Sequence, residues 1–91
     1  MAAPIYVADP GEEIRLVVLD GLSALYHRPS GATHIVASPA PEILEALQEG
    51  PADAVELLAR LRARYELEES ADEAIGIRLI ELEQAGLVRR A

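Results

Sequence analysis

Apolar and polar residues alternate along the first part of the chain in the way that is typical of β-strands. The alternation predicts strands over about Glu13 to Leu19, Ser23 to Arg28 and Ala32 to Ala37. Asp20-Gly21 joins the first two strands and Pro29-Ser30-Gly31 joins the last two, and both segments contain residues that favour tight turns. Three short strands joined by tight turns predict an antiparallel meander.

After Ser38 the apolar residues follow a helical period. Ser38 is predicted to cap a first helix, with Pro39 at the first helical position and Gly50-Pro51 at its end. Asp53 stands three residues before Glu56, which is the spacing of a capping box, and predicts the start of a second helix. The apolar face that we assign to this second helix consists of Val55, Leu58, Leu61 and Tyr65.

A third helix is predicted after Ser70, which precedes Glu73 by the same spacing, and it is expected to stop at Gly86. The helical period divides its apolar residues into two stripes. The predicted core stripe consists of Ile75, Leu79 and Leu82. The second stripe consists of Glu73, Ile77, Ile80 and Gln84. The sequence leaves open whether this second stripe is buried in a sandwiched helix or lines an exposed groove. It also leaves open whether Gly76 permits a close backbone approach or is merely tolerated.

Three strands followed by three helices predict a single α+β domain over residues 1–91. In this architecture an amino-terminal three-stranded antiparallel meander packs on three carboxy-terminal helices. The segment from Met1 to Gly11 contains Pro4 and Pro10, so we expect it to be loosely held and without regular structure. Leu87-Val88 is expected to form a short closing segment.

The third predicted strand is expected at an edge of the sheet, because no further strand of the meander follows it. Its residues are Thr33, His34, Ile35 and Val36, and they include few of the features that protect an edge from pairing. An uncovered edge beside an apolar groove suits an extended peptide, because the edge offers hydrogen bonds and the groove selects side chains. The exposed edges also leave open a homodimer in which two copies of the chain pair.

The charge composition of the chain excludes some classes of binding partner. The chain has 16 acidic and 8 basic residues and a net charge of −8, which argues against binding to nucleic acid or to an anionic membrane surface. No apolar run is long enough to span a bilayer, and the start of the chain lacks the features of a signal peptide. We therefore expect a cytoplasmic protein with neither nucleic acid nor membrane as a partner.

No set of residues in the sequence indicates catalysis. The absence of Cys excludes thiolate metal sites and a cysteine nucleophile. His27 and His34 are expected on neighbouring strands, but two imidazoles alone make a weak metal site, and we interpret both as ordinary half-buried or solvated side chains. Phosphate-binding and nucleophile-elbow motifs are also lacking. We predict a protein that is not an enzyme and that has neither a catalytic residue, a cofactor nor a metal.

Two parts of the chain resemble known families. The segments from Glu42 to Pro51, Val55 to Leu61 and Leu82 to Arg90 resemble the helical core of winged helix-turn-helix proteins. The stretch from Leu19 to Val36, with its D-G turn, its tyrosine strand and its S-G-A-T-H strand, resembles the PqqD family. Within that family it is similar to the branch found with HPr-kinase-related proteins, the HPr-rel-A system.

This resemblance implies a peptide chaperone, the recognition element that binds precursor peptides in RiPP pathways. In such modules the leader of a ribosomally made peptide adds as a strand beside the third strand of the meander and against the third helix. The module then presents the peptide to a modifying enzyme. Carried over to this chain, the implied peptide contacts are Thr33, His34, Ile35, Val36, Glu73, Ile77, Ile80 and Gln84.

Two other interpretations remain open. An adaptor subunit would dock on a modifying or HPr-kinase-related enzyme through a helical face, and its acidic helices would meet a basic surface. A winged-helix DNA-binding protein would need basic residues on the third helix. That helix has one basic residue, Arg78, and its acidic residues are Asp72, Glu73, Glu81 and Glu83.

Overall fold

The alternating part of the chain forms the predicted meander. In the computed structural model, which describes residues 3–67 and 71–91, a short strand β1 (Tyr6–Ala8) and one turn of 3-10 helix (Gly11–Glu13) come first. The meander follows as β2 (Ile14–Val18), β3 (Ser23–His27) and β4 (Ala32–Val36). Its strands pair antiparallel in the order β2-β3-β4. The expectation that the third meander strand lies at an edge is therefore confirmed, and β2 forms the opposite edge.

The register between β2 and β3 determines which backbone groups of β2 face its open edge. The N–H of Arg28 donates to the carbonyl of Glu13 at 2.8 Å, immediately beyond the pair Ile14–His27. Ile14 and His27 therefore face each other without mutual hydrogen bonds. Hydrogen-bonded and non-hydrogen-bonded pairs alternate along an antiparallel ladder. It follows that the backbone N–H and C=O groups of Leu16 and Val18 point away from the sheet.

The same alternation continues across β3 to β4. Leu25 faces Leu16 on β2 in a pair without hydrogen bonds, so its backbone groups point to β4, where its partner is His34. Thr33 and Ile35 alternate with His34 along β4. Their N–H and C=O groups therefore point to the open edge on that side.

The side chains of the meander divide between a helix-facing and an open face. Leu25 and His27 are buried, whereas Tyr26 between them is exposed. Val17 and Ile35 lie on the same open face as Tyr26 and are also exposed. No helix of the described chain covers this second face.

Three helices and a last strand complete the fold. They are α1 (Ala40–Leu47), α2 (Ala54–Arg64), α3 (Ala71–Gln84) and β5 (Val88–Arg90). The described residues thus form an α+β fold with a three-stranded antiparallel sheet and three helices, as predicted. Within these residues, no helix combines the length and the apolar character that crossing a bilayer requires.

The start of α1 differs from the prediction. The helix begins at Ala40 with Pro39 in the cap position, whereas we predicted Ser38 as the cap. The Ser38 hydroxyl donates to the carboxylate of Glu42 and bonds to no backbone N–H of the helix. A hydrogen bond to an ionised carboxylate is stronger than one between neutral groups, which explains the different partner.

The predicted cap of α2 is confirmed, but its predicted apolar face is partly wrong. The Asp53 carboxylate accepts a hydrogen bond from the N–H of Glu56 at 2.8 Å. The buried residues of the helix are Leu57 and Leu61, while Val55 is 76% exposed. Val55 lies about 200° around the helix from Leu57, so it points away from the core. The two other residues of the predicted face are the half-buried Leu58 and the exposed Tyr65, which follows the last helical residue.

The two stripes of α3 have different surroundings. The predicted core stripe is confirmed, since its three residues are at most 3% exposed. Ile77 and Ile80 are 48% and 50% exposed, so the interpretation of α3 as a sandwiched helix is wrong. The helix ends as predicted, because Gly86 adopts a φ of 80° and the N–H of Leu87 donates to the carbonyl of Leu82 at 3.0 Å. The predicted cap Ser70 lies outside the described residues.

The expectation of an amino-terminal segment without regular structure is wrong for Tyr6–Ala8. These residues form β1, which pairs antiparallel with β5. Tyr6 is buried, and its N–H and C=O exchange hydrogen bonds of 2.8 and 3.1 Å with Ala52 before α2. The closing segment predicted at Leu87-Val88 therefore continues into β5, whose partner lies at the other end of the chain.

The hydrophobic core lies among the three helices and the β1–β5 pair. Most of its members come from α1, α2 and α3, with Leu87 and Val88 beside them. Within the meander, all of which is described, Leu25 is the only large apolar side chain that is fully buried. Ile14 and Val36 pack against the core from the two edge strands and are partly buried.

Gly76 provides a test of the packing around α3. A Cβ at this position would have no neighbouring heavy atom within 4 Å beyond the helix itself, so no close approach requires glycine there. We expect Gly76→Ala to raise the free energy of unfolding by about 1 kcal/mol, because alanine loses less backbone entropy in a helix. Urea denaturation would show this as a higher midpoint with an unchanged slope.

The matched control is Gly86→Ala. Its φ of 80° is unfavourable for a residue with a Cβ, so we expect a loss of about 1 kcal/mol in the same measurement. A loss of stability in Gly76→Ala would contradict the open surroundings described here.

Candidate functional site

A groove lies between the open edge of β4 and α3 and encloses about 550 Å³. Its sheet side consists of Thr33, His34, Ile35, Val36 and Ala37, and its helix side of Arg78, Glu81, Leu82 and Ala85. Ala40 and Leu87, which are buried, complete the lining. We call this feature the β4–α3 groove. It brings an unpaired strand edge together with a depression whose lining is part polar and part apolar.

The groove includes the strand residues of the predicted site but not its helix residues. All four predicted positions on β4 line it, whereas Glu73, Ile77, Ile80 and Gln84 do not. On a helix that turns by about 100° per residue, the predicted stripe lies roughly 120° away from the residues that line the groove. The stripe is therefore on the outer side of α3, directed away from β4.

The helix side of the groove could not be predicted from the sequence, because its exposed residues form no apolar stripe. Arg78, Glu81 and Ala85 are a base, an acid and a small residue, and Leu82 belongs to the core stripe. The helical period alone identifies the most apolar exposed stripe. Only the position of β4 shows which side of the helix faces the strand edge.

The backbone of β4 supplies the polar groups of the groove. The N–H and C=O groups of Thr33 and Ile35 point to the open edge, while the Ile35 side chain is 60% exposed on the open face of the sheet. These groups have the spacing of a β-ladder, so an added strand would find two donors and two acceptors. His34 and Val36 place their side chains on the helix-facing side, beneath such a strand.

One ion pair lies on the rim of the β4–α3 groove. Arg78 Nη1 donates to both carboxylate oxygens of Glu81 at 2.9 Å. Both side chains are partly exposed, and a surface pair of this kind contributes little to stability. It leaves the rim without net charge, and either member has the chemistry to exchange its partner for a charged group on a ligand.

A second polar cluster connects Asp9, the residue after β1, with β3 and β5. His27 Nε2 lies 2.6 Å from a carboxylate oxygen of Asp9, and His27 Nδ1 lies 2.8 Å from the hydroxyl of Ser30. Arg89 on β5 donates to the other oxygen of Asp9 at 2.9 Å. The hydrogen bond from His27 lowers the pKa of Asp9, burial opposes this effect and Arg89 adds to it. The cluster could not be predicted from the sequence, because Asp9 lies in a segment that we expected to be irregular.

The row of carboxylate, imidazole and hydroxyl resembles that of serine hydrolases, but its surroundings differ. A hydrolase needs free N–H donors near the hydroxyl to stabilise an oxyanion. Here the N–H of Gly31 donates to the His27 carbonyl at 2.9 Å, and the N–H of Ala32 donates to Ser30 Oγ at 3.2 Å. Both nearby donors are engaged in the turn. We conclude that the cluster ties the hairpin to the β1–β5 pair.

The two histidines do not form a common site. His27 pairs with Ala32 across the ladder and His34 pairs with Leu25, so the imidazoles are on different rows of the sheet. Among residues 3–67 and 71–91, the structure contains no group of three or more potential ligands arranged to hold a metal ion.

Comparisons of the chain with protein-family models, with curated proteins and with solved structures found no match. The resemblance to the PqqD family therefore stays a prediction.

The cluster around Asp9 predicts a specific dependence of stability on pH. Because the pKa of Asp9 is lower in the folded than in the unfolded chain, its carboxylate stabilises the fold above the ordinary value of 3.8. That contribution is lost as the pH falls through the lower folded value. We expect Asp9→Asn to lower the free energy of unfolding at pH 7 by about 1 kcal/mol. Denaturation between pH 7 and pH 2 should show the difference from wild type shrinking below pH 3.8.

Glu12→Gln is the matched control, since Glu12 is an exposed carboxylate of the same segment. We expect Glu12→Gln to keep the wild-type free energy of unfolding at pH 7. An Asp9→Asn variant with wild-type stability at pH 7 would contradict the role of the cluster as a tie.

Proposed function

We propose that this protein is a non-catalytic peptide-binding module of the PqqD-like, winged helix-turn-helix type. In this proposal it captures a precursor or leader peptide in the cytoplasm by β-strand addition in the β4–α3 groove. It then presents the peptide to a modifying enzyme. The observation that supports the proposal is the unpaired edge of β4, which runs beside a depression lined by α3.

The backbone geometry favours a peptide over a compact small molecule. The outward groups of Thr33 and Ile35 are spaced for a ladder, and an extended peptide is the ligand whose own backbone has the same spacing. Such hydrogen bonds supply affinity without selecting a sequence. The side chains of the groove determine which peptide sequences bind.

The lining of the groove indicates which peptide residues would fit. Val36 and Ala85 offer an apolar surface to alternate side chains of an added strand. The Arg78–Glu81 pair on the rim would meet a polar or charged residue at one end of the segment. We therefore expect a client with a short stretch of alternating apolar and polar residues.

The exposed stripe of α3 favours the adaptor role as a second candidate function. Ile77 and Ile80 form an apolar patch on the outer side of the helix, away from the β4–α3 groove. A patch in this position would allow an enzyme to dock while the groove holds a peptide. The two roles are compatible because they use different faces of α3.

DNA binding receives less support. The single base of α3, Arg78, is paired with Glu81, and the other charged residues of the helix are acidic. A helix with this charge would be repelled by the phosphates of a duplex groove.

The first test removes one backbone donor from the open edge of β4. Ile35→Pro lacks the outward N–H, whereas Ile35→Ala retains it and changes the side chain alone. Tagged full-length variants would be used to capture peptides from an extract of the producing cells, with mass spectrometry as the readout. We expect wild type and Ile35→Ala to recover the same short peptide and Ile35→Pro to recover at least about tenfold less, roughly 1.4 kcal/mol of binding.

Leu16→Pro controls for the effect of proline on the meander, because it removes an outward N–H from the opposite edge. Recovery of the peptide by Ile35→Pro, or its loss in Leu16→Pro alone, would contradict strand addition at β4. Circular dichroism of each variant would establish that the fold is retained.

The second test compares the two faces of α3. Ala85→Trp fills the β4–α3 groove from a position just beyond the end of the helix, and Ile80→Glu adds a charge to the outer stripe. We expect Ala85→Trp to lose the peptide about tenfold and Ile80→Glu to retain it. If Ile80→Glu also loses a large protein partner, that result supports docking of an enzyme on the stripe. If Ile80→Glu loses the peptide and Ala85→Trp retains it, the client binds to the stripe of Glu73, Ile77, Ile80 and Gln84.

A further inference from the structure

A second open edge with its own groove lies on the other side of the meander. The N–H and C=O groups of Leu16 and Val18 point outward from β2. The N–H of Ile14 is not free, because it donates a hydrogen bond to the carbonyl of Gly11. Two adjoining depressions of about 310 and 190 Å³ separate β2 from α1, and both are lined by Leu16, Pro41 and Glu45. We call them together the β2–α1 groove.

The sheet side of this groove exposes an apolar strip. Leu16 is 41% exposed, Val18 77% and Leu22, at the adjoining turn, 44%. On the helix side Pro41 and Leu44 continue the apolar lining. An unpaired edge without lysine or proline beside an apolar strip is a template for another strand.

The charges around the groove are acidic. Glu42 and Glu45 on α1 line it, and no basic residue of the described chain does so. Glu45 makes no ion pair with any described residue, and the carboxylate of Glu42 accepts a hydrogen bond from the neutral Ser38 hydroxyl. Glu13 precedes β2 and Asp20 follows it, and the one base of β2, Arg15, lies on the open face with Tyr26, away from the groove. The complementary ligand is therefore basic.

A second copy of this chain would fit the strip less well. Two β2 strands paired around a two-fold axis would place both α1 helices on the same face of the joined sheet, next to each other. Glu42 and Glu45 of one copy would then approach the same residues of the other, and like charges at an interface oppose association. The same acidic residues would attract a strand that has lysine or arginine.

We propose that the β2–α1 groove binds an extended basic segment of a partner protein by strand addition to β2. The groove-facing positions of this segment are apolar residues and Lys or Arg. The aliphatic stems of the Lys or Arg side chains pack on Leu16 and Val18, and the charged ends of these side chains reach Glu42 and Glu45. The proposal does not depend on the peptide function of the β4–α3 groove, since the two edges share no backbone group.

The test uses two synthetic peptides and the isotope-labelled full chain. The first peptide, Thr-Lys-Thr-Val-Thr-Lys-Thr with blocked ends, places Lys, Val and Lys on one face of a strand. The second replaces both Lys with Glu. We expect the Lys peptide to shift the amide resonances of Leu16 and Val18 in NMR titrations, with an affinity that falls as salt is added, and the Glu peptide to leave them unchanged.

Variants then separate the groove from the general acidity of the chain. Glu45→Lys should weaken binding of the Lys peptide by at least about tenfold. Glu73→Lys makes the same change in net charge on the outer side of α3 and should retain most of the affinity. Ile35→Pro should bind the Lys peptide as wild type does, and Leu16→Pro should not. Glu45 is exposed, so its variant tests the groove even if Leu16→Pro does not fold.

Three results would overturn the proposal. One is a shift of the amides of Thr33 and Ile35 in place of those of Leu16 and Val18. Another is an equal loss of affinity in Glu45→Lys and Glu73→Lys, which would indicate attraction to the net charge alone. The third is a dimer in analytical ultracentrifugation that Leu16→Pro converts to a monomer, because a second copy would then cover the β2 edge.

Discussion

The attachment of the meander to the helices through Leu25 determines much of the remaining structure. Leu25 lies in the central strand and is the one large apolar side chain of the meander, all of it described, that is fully buried. The edge strands contribute only the partly buried Ile14 and Val36. A twisted sheet that is fixed mainly at its centre diverges from the helices toward both edges. We interpret the β4–α3 and β2–α1 grooves as the two spaces that such a divergence leaves.

A sheet held mainly by one apolar contact needs further contacts to fix its orientation. Polar contacts at the end of β3 supply them. His27 is 5% exposed and bonds to Asp9, which in turn bonds to Arg89 on β5. The β1–β5 pair also contacts the helices through the exchange of hydrogen bonds between Tyr6 and Ala52. The width of both grooves therefore depends on residues that lie outside them, near the two ends of the chain.

The features that sequence predicted correctly are those with a local cause. Alternation fixed the three meander strands, the Asp53–Glu56 spacing fixed the start of α2, and the period of α3 separated its core stripe from its outer stripe. β1 escaped prediction because it has three residues and its partner β5 lies at the far end of the chain. A pairing over that distance leaves no periodic signal in either segment.

The candidate site shows the same division between local and distant causes. The open edge of β4 followed from the order of the strands, so the four β4 residues that line the groove could be named from the sequence. The helix side could not, because the choice between Ile80 and Ala85 depends on how α3 is rotated against β4. That rotation is set by the burial of Leu79 and Leu82 in the core. An apolar stripe was the strongest signal available, and it marked the outer side of the helix.

The two grooves differ in charge although they arise from the same sheet, and this difference has a consequence for how the module would work. The β4–α3 groove has the balanced pair of Arg78 and Glu81 on its rim, whereas Glu42 and Glu45 make the β2–α1 groove acidic. Ligands of different charge would therefore not compete for the same edge. With both proposed ligands bound, the sheet would have five strands, and the outer two would lie roughly 20 Å apart. A client on β4 would then be held at a fixed distance and direction from a partner on β2. A rigid sheet of this kind is a physical means of presenting a flexible peptide to another protein.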